Sequence, residues 1–289
     1  MADGSEPRQI HSDKRHSWSS RYGFWRARNL QDPKALEAAA EEHDRDRIEQ
    51  AERHNSGDGR SQYLAPFIYG ALDGITTTFA VVGGVVGAEL SSSIILIMGL
   101  ANLLGDGFSM ASGAYLSART EREVYVHERR NEVEQIVRAP HKEKGDLYRI
   151  YRQDFPEQEA KSLTEIVSED PGRWVSTMTA EKHLLLPQKR KPPLEGLATF
   201  AGFVTAGTVP LLVYLVDMAV HSSLSATTSF LIATVLSGLA LLAAGAAKVF
   251  VTERSPVRSS LEMLLVGSLA AAVAFGVGAL IKNLVGMPT

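Results

Sequence analysis

Five stretches of this chain, near residues 66–88, 91–118, 196–218, 227–251 and 261–284, carry almost no charge, and each is about as long as a bilayer crossing. A spanning helix needs about 20 mostly apolar residues, because hydrocarbon offers the backbone no partner and a helix satisfies its own amides. Charge gathers instead in residues 1–62 and 119–193. This pattern predicts an all-α integral membrane protein: five transmembrane helices, with a cytoplasmic helical domain inserted between helices 2 and 3. The expected blocks are a polar N-terminal extension (1–62), transmembrane helices 1–2 (63–118), the cytoplasmic domain (119–193) and transmembrane helices 3–5 (194–289).

Composition excludes several functions. A net charge of −3 supplies no basic surface for nucleic acid. The chain has no cysteine, so disulfides, thiolate metal sites and cysteine nucleophiles are all ruled out. There is no GxSxG, HExxH, P-loop or glycine-rich dinucleotide turn, and no enzyme is expected.

Charge also orients the chain. Arg60, Arg119, Arg122, Lys189, Arg190, Lys191, Arg254 and Arg258 flank one set of span ends, whereas Glu89–Ser91 and His221–Ser225 carry no Lys or Arg. The positive-inside rule then puts the N-terminus and residues 119–193 in the cytoplasm and the C-terminus outside. The first 60 residues lack the apolar segment of a signal peptide, and a bacterial inner membrane is expected rather than a vacuolar one. Residues 1–33 read as a disordered tail. Residues 34–54 favour helix, with an apolar face too thin for a core, and Asn55–Gly59 breaks it. No proline interrupts residues 92–139, so one helix is expected from Ser92 to about Val137, ended by Pro140. Further helices are expected to start near Asp154–Pro156 and Asp170–Pro171.

Two carboxylates stand inside the apolar runs. An aspartate at mid-bilayer costs roughly 2.5–3.5 kcal/mol even on the insertion scale, so Asp73 and Asp106 point to a cation or a proton. Asn102, Asp106, Ser109 and Met110 share one helix face, and Thr77 shares the face of Asp73. Oxygen donors with one thioether suit a divalent transition metal. Ala101, Gly105, Ser109, Gly113 and Ser117 recur every fourth residue, and Gly83 and Gly87 form a GxxxG. Such rows serve either packing inside one bundle or a subunit interface. Beyond the membrane, Glu121, Glu128 and Glu132 fall within about 40° on the long helix. That face is either a solvated ion-pair surface or part of a cation site.

The text from Asp73 to Ala80, then Ser109-Met110-Ala-Ser-Gly-Ala-Tyr115-Leu-Ser, then Arg119-Thr-Glu121, resembles the vacuolar iron transporter family over about residues 64–286. The resemblance implies a dimer that moves ferrous iron, and often manganese, out of the cytosol in exchange for protons. The implied route runs between the two subunits, with Asp73 and Met110 on the family's aspartate and methionine. It also implies a cytoplasmic metal site, whose ligand positions fall on Glu132, Glu143, Asp146 and Met178. Some expected family residues are replaced: glutamates by Asn102, Gln135 and Lys182 (with Glu181 beside it), a methionine by Thr179.

The expected transport pathway is therefore Asp73, Thr77, Asn102, Asp106, Ser109 and Met110. The expected cytoplasmic metal residues are Glu128, Glu132, Glu143, Asp146, Met178 and Glu181. No permanently bound cofactor is expected. Fe2+ or Mn2+ is cargo, and the partners are protons, membrane lipid and a second copy of the chain. The alternative is a membrane scaffold or metal sensor that keeps the fold without transport.

Overall fold

A computed structural model describes residues 32–54, 61–220, 224–252 and 255–285. The expected polar tail, the Asn55–Gly59 break and Arg254 lie outside them. The described residues form helices and turns with no strand. In order these are α1 (Pro33–His54), α2 (Ser61–Gly87), α3 (Ser92–Arg138), α4 (Pro140–Asp154), α5 (Glu157–Ser168), α6 (Pro171–His183) and α7 (Pro192–Gly207). A 3-10 turn (Val209–Leu211) leads into α8 (Leu212–Val220), α9 (Ala226–Ala247), α10 (Val249–Thr252) and α11 (Pro256–Val285).

Five helical segments are long and apolar enough to cross a membrane: Gln62–Gly87, Ser92–Arg138, Pro192–Val220, Ala226–Ala247 and Pro256–Val285. Their outer faces are apolar, with Phe108, Leu231, Leu265 and Leu269 all exposed. Such surfaces suit lipid rather than water. The third segment differs from the single helix expected at 196–218. Pro210 has no N–H to donate, and the chain passes through the 3-10 turn between α7 and α8. The long helix runs unbroken from Ser92 to Arg138 and stops before Pro140, as its sequence requires.

The chain divides into two compact units, residues 1–56 with 121–189, and 57–120 with 190–289. In the second, α2 packs against α7 and α11. Close approach explains its glycines. A Cβ on Gly74 would strike the backbone of Phe203, one on Gly83 would stand 2.8 Å from the Ala271 oxygen, and one on Gly87 would strike Phe275. The GxxxG of α2 therefore serves packing within this chain. The first half of α3 joins through Ile95 and Leu96, which pack in a core with Val82, Val85, Leu211 and Tyr214.

The first unit is built by α1, the end of α3, and α4 to α6. Leu36 and Ala40 of α1 are wholly buried in a core with Val133, Ile136, Leu147 and Trp174. The sequence suggested an apolar face too thin for a core, yet α1 enters one through these two residues, and a polar anchor supplements them. Asp44, 4% exposed, accepts hydrogen bonds from Tyr125 Oη (2.5 Å), Ser176 Oγ (2.7 Å) and Arg129 Nη1 (3.2 Å). The start of α6 has the expected cap: the Asp170 side chain accepts from the Arg173 amide at 3.1 Å, with Pro171 behind it.

Candidate functional site

In the membrane-type unit, α2 and α3 carry the expected polar residues. Asp73 is exposed on α2. Thr77 turns its hydroxyl back to the Asp73 carbonyl oxygen at 2.9 Å, the habit of threonine within a helix. Its lone pairs stay free to accept or to coordinate. One turn apart on α3, Asn102 Nδ2 donates to Asp106 Oδ2 at 2.6 Å, as their shared face requires. Asn102 Oδ1 is buried and has no hydrogen-bond partner among the described residues. A buried acceptor left unpaired is costly, and a cation is one way to satisfy it.

Ser109 is exposed on the same side of α3, and Met110 is half-buried. Met110 lines a recess of about 640 Å³ whose wall also includes Tyr69, Ser117, Arg190, Glu195 and Thr199. Within this wall Arg190 Nη1 donates to Glu195 Oε1 at 3.3 Å. Glu195 and Tyr69 were not singled out in the sequence. Glu195 had one signal, as the sole carboxylate in the first turn of the third span.

The small-residue row of α3 behaves unlike that of α2. Ala101, Gly105, Ser109, Gly113 and Ser117 are all exposed. A Cβ added at Gly105 or Gly113 would meet nothing within 4 Å. Among the described residues, packing does not require Gly105 or Gly113 to be small.

In the other unit the six expected metal residues do not converge on one point. Glu132 and Glu143, with side chains 0% and 1% exposed, face each other from α3 and α4. Between them stands Lys182 of α6, its Nζ 3.1 Å from Glu132 Oε2, 2.9 Å from Glu143 Oε2 and 3.0 Å from Gln135 Oε1. Glu128 joins only through His183, whose Nδ1 lies 3.6 Å from it while Nε2 lies 3.3 Å from Glu132. Asp146 pairs with Arg149, Met178 is wholly buried in the apolar core, and Glu181 is exposed. Among the described residues, no three His, Asp or Glu side chains gather as a metal-holding group.

The two carboxylates of the Lys182 cluster are shifted in opposite directions: burial raises Glu132 above its ordinary range despite Lys182 and His183. Burial works against ionisation of Glu143, but the hydrogen bond and charge of Lys182 outweigh it and hold the carboxyl below its ordinary range. Burial likewise works against the Lys182 charge, yet Glu143 and Glu132 raise the ammonium above its ordinary value.

A family model described as the VIT family matches residues 64–279. A vacuolar iron transporter of Toxoplasma gondii is 34% identical over 239 residues, covering 81% of this chain and 79% of that protein. Vacuolar iron transporter 1 of Eucalyptus grandis is 30% identical over 224 residues, 77% of this chain and 88% of that one. Vacuolar iron transporter 1 of Arabidopsis thaliana is 31% identical over 224 residues, with 77% and 87% covered. The family match leaves α1 outside.

Proposed function

We propose a function from one premise: this chain belongs to the VIT family. It carries a divalent transition metal, ferrous iron first and manganese second, out of the cytosol in exchange for protons. The relatives' names support iron as cargo. Oxygen donors with one thioether accept either metal.

The observation that carries the reading is the polar face shared by α2 and α3. Asp73 and Asp106 look outward from apolar helices, and Asn102, bonded to Asp106, keeps a buried Oδ1 with no hydrogen-bond partner among the described residues. In a lone copy these groups meet lipid, at high cost. Two copies facing each other across the open Gly105/Gly113 row enclose them in a polar route, which supports a homodimer.

In this route Asp73 and Asp106 carry the charge. Thr77, Asn102 and Ser109 lend oxygens, and Met110 lends its sulfur. A carboxylate binds a proton or a metal but not both at full strength, so one site alternates between cargo and counter-ion. The N-terminus and the helical unit face the cytosol, and the C-terminus faces the other side. The relatives' vacuolar names favour an internal membrane over the bacterial inner membrane expected from the sequence.

The test is metal uptake by protein-containing vesicles. Asp73→Ala and Asp106→Ala each reduce uptake to that of protein-free vesicles while the variants stay folded. Unchanged uptake in either one refutes its place in the route.

A further inference from the structure

The resemblance puts metal ligands at Glu132 and Glu143, but the space they share already holds a cation. We infer that Lys182 is the resident cation of this cluster: its ammonium stands where a divalent metal would, and the helical unit holds its fold without binding one. The inference does not depend on whether the membrane helices transport.

Three features carry it. An ammonium has three protons to donate, and Lys182 Nζ has three oxygens within 3.1 Å: Glu132 Oε2, Glu143 Oε2 and Gln135 Oε1. Its donor capacity is filled by groups from α3 and α4, so it ties α6 to both. Charge is the second feature. Glu132 and Glu143 bring two negative charges, and Lys182 offsets one. His183 and Lys142 approach the same pair, Lys142 Nζ standing 3.4 Å from Glu143 Oε1. A divalent ion there would be driven against an ammonium in direct contact with its ligands. Third, Asp146 points to Arg149, Met178 into the apolar core, and Glu128 reaches the pair only through the ring of His183. Glu132 Oε1 does stay buried without a hydrogen-bond partner among the described residues. One oxygen is far from the six or so ligands that an oxygen-bound divalent metal takes.

Gln135 and Lys182 then make sense together. Where a carboxylate is replaced by an amide and another by an ammonium, the cluster loses negative charge and gains its own counter-ion. Discrimination among metals is left to the membrane helices.

The test is hydrogen exchange on the full-length protein, with and without Mn2+, read in peptides covering residues 128–147 and 174–183. In the parent chain these peptides are protected without metal, and Mn2+ changes nothing. Lys182→Ala leaves two buried carboxylates facing each other. Exchange there speeds up about 100-fold or more, and Mn2+ restores protection. The triple variant Glu132→Gln/Glu143→Gln/Lys182→Met removes all three charges, stays protected and ignores Mn2+. It also decides the matter if Lys182→Ala does not fold. Three results overturn the inference: Mn2+ protection in the parent chain that disappears in Glu132→Gln/Glu143→Gln, full protection of Lys182→Ala without metal, or loss of protection in the triple variant.

Discussion

Replacing Asp44 with alanine should detach α1 from the helical unit. Asp44 is nine-tenths buried or more and receives Tyr125, Ser176 and Arg129. Each hydrogen bond to a charged group is worth about 1.5–3 kcal/mol, but three on one carboxylate do not add. The better guide is the loss of one partner of a buried ion pair, about 3–5 kcal/mol, because the other charge is stranded. Here that charge is Arg129, whose Nε is already buried with no hydrogen-bond partner among the described residues. Its remaining acidic neighbour, Glu41, is 3.9 Å away and more than half exposed. That weak substitute favours the lower end, about 3 kcal/mol. At about 1.4 kcal/mol per power of ten, opening becomes about two powers of ten more frequent. Hydrogen exchange of the full-length protein reads this directly, in peptides from α1 and from residues 121–133. Arg129→Met in the same background removes the stranded charge and recovers part of the loss. A change under tenfold in the α1 peptides refutes the reasoning and makes Leu36 and Ala40 the real anchor.

Other consequences separate the two glycine rows and set a pH window. Gly74→Ala pushes a methyl into the Phe203 backbone and should lower thermal stability in detergent by about 1–3 kcal/mol. A Cβ at Gly113 meets nothing among the described residues, so Gly113→Leu should spare stability while lowering the fraction of the proposed dimer in sedimentation; an unchanged fraction removes that face from the proposed interface. In the Lys182 cluster, Glu143 and Lys182 set an acid and an alkaline limb, while Glu132, raised by burial, opposes the Glu143 limb. Glu143 ionises more readily folded than unfolded, so its contribution is complete above its ordinary value of 4.5 and fades as pH falls through the lower folded value. Lys182 is the reverse case: its contribution is complete below its ordinary value of 10.5 and is lost as pH rises through the raised folded one. Exchange protection of residues 174–183 against pH checks this, and Glu143→Gln should flatten the acid limb.

Much of the architecture was legible because it rests on long-range composition. Runs of apolar residues define the spans whatever they pack against, and the absence of proline from 92 to 139 was enough for the long helix. The break at Thr208–Leu211 was missed because Pro210 sits inside an apolar run, where hydropathy sees nothing unusual. Docking of α1 was missed for a different reason. Half its anchor is Asp44, and no apolar pattern reveals a buried aspartate whose partners lie 81 to 132 residues away. On the membrane face, the spacing of Asn102 and Asp106 put them on one side of the helix, and a hydrogen bond joins them there. The acidic cluster was half legible. Glu132 and Glu143 do meet, but Met178 faces the core, and only tertiary contact shows that Lys182 fills the gap.

Ferrous iron uptake into vesicles with an acidic lumen, followed together with lumenal pH, tests the central claim most directly. The account predicts that uptake accelerates with the gradient, that the lumen grows more alkaline as iron enters, and that Asp73→Ala abolishes both. Iron entry that ignores the gradient, or persists in Asp73→Ala, would contradict it.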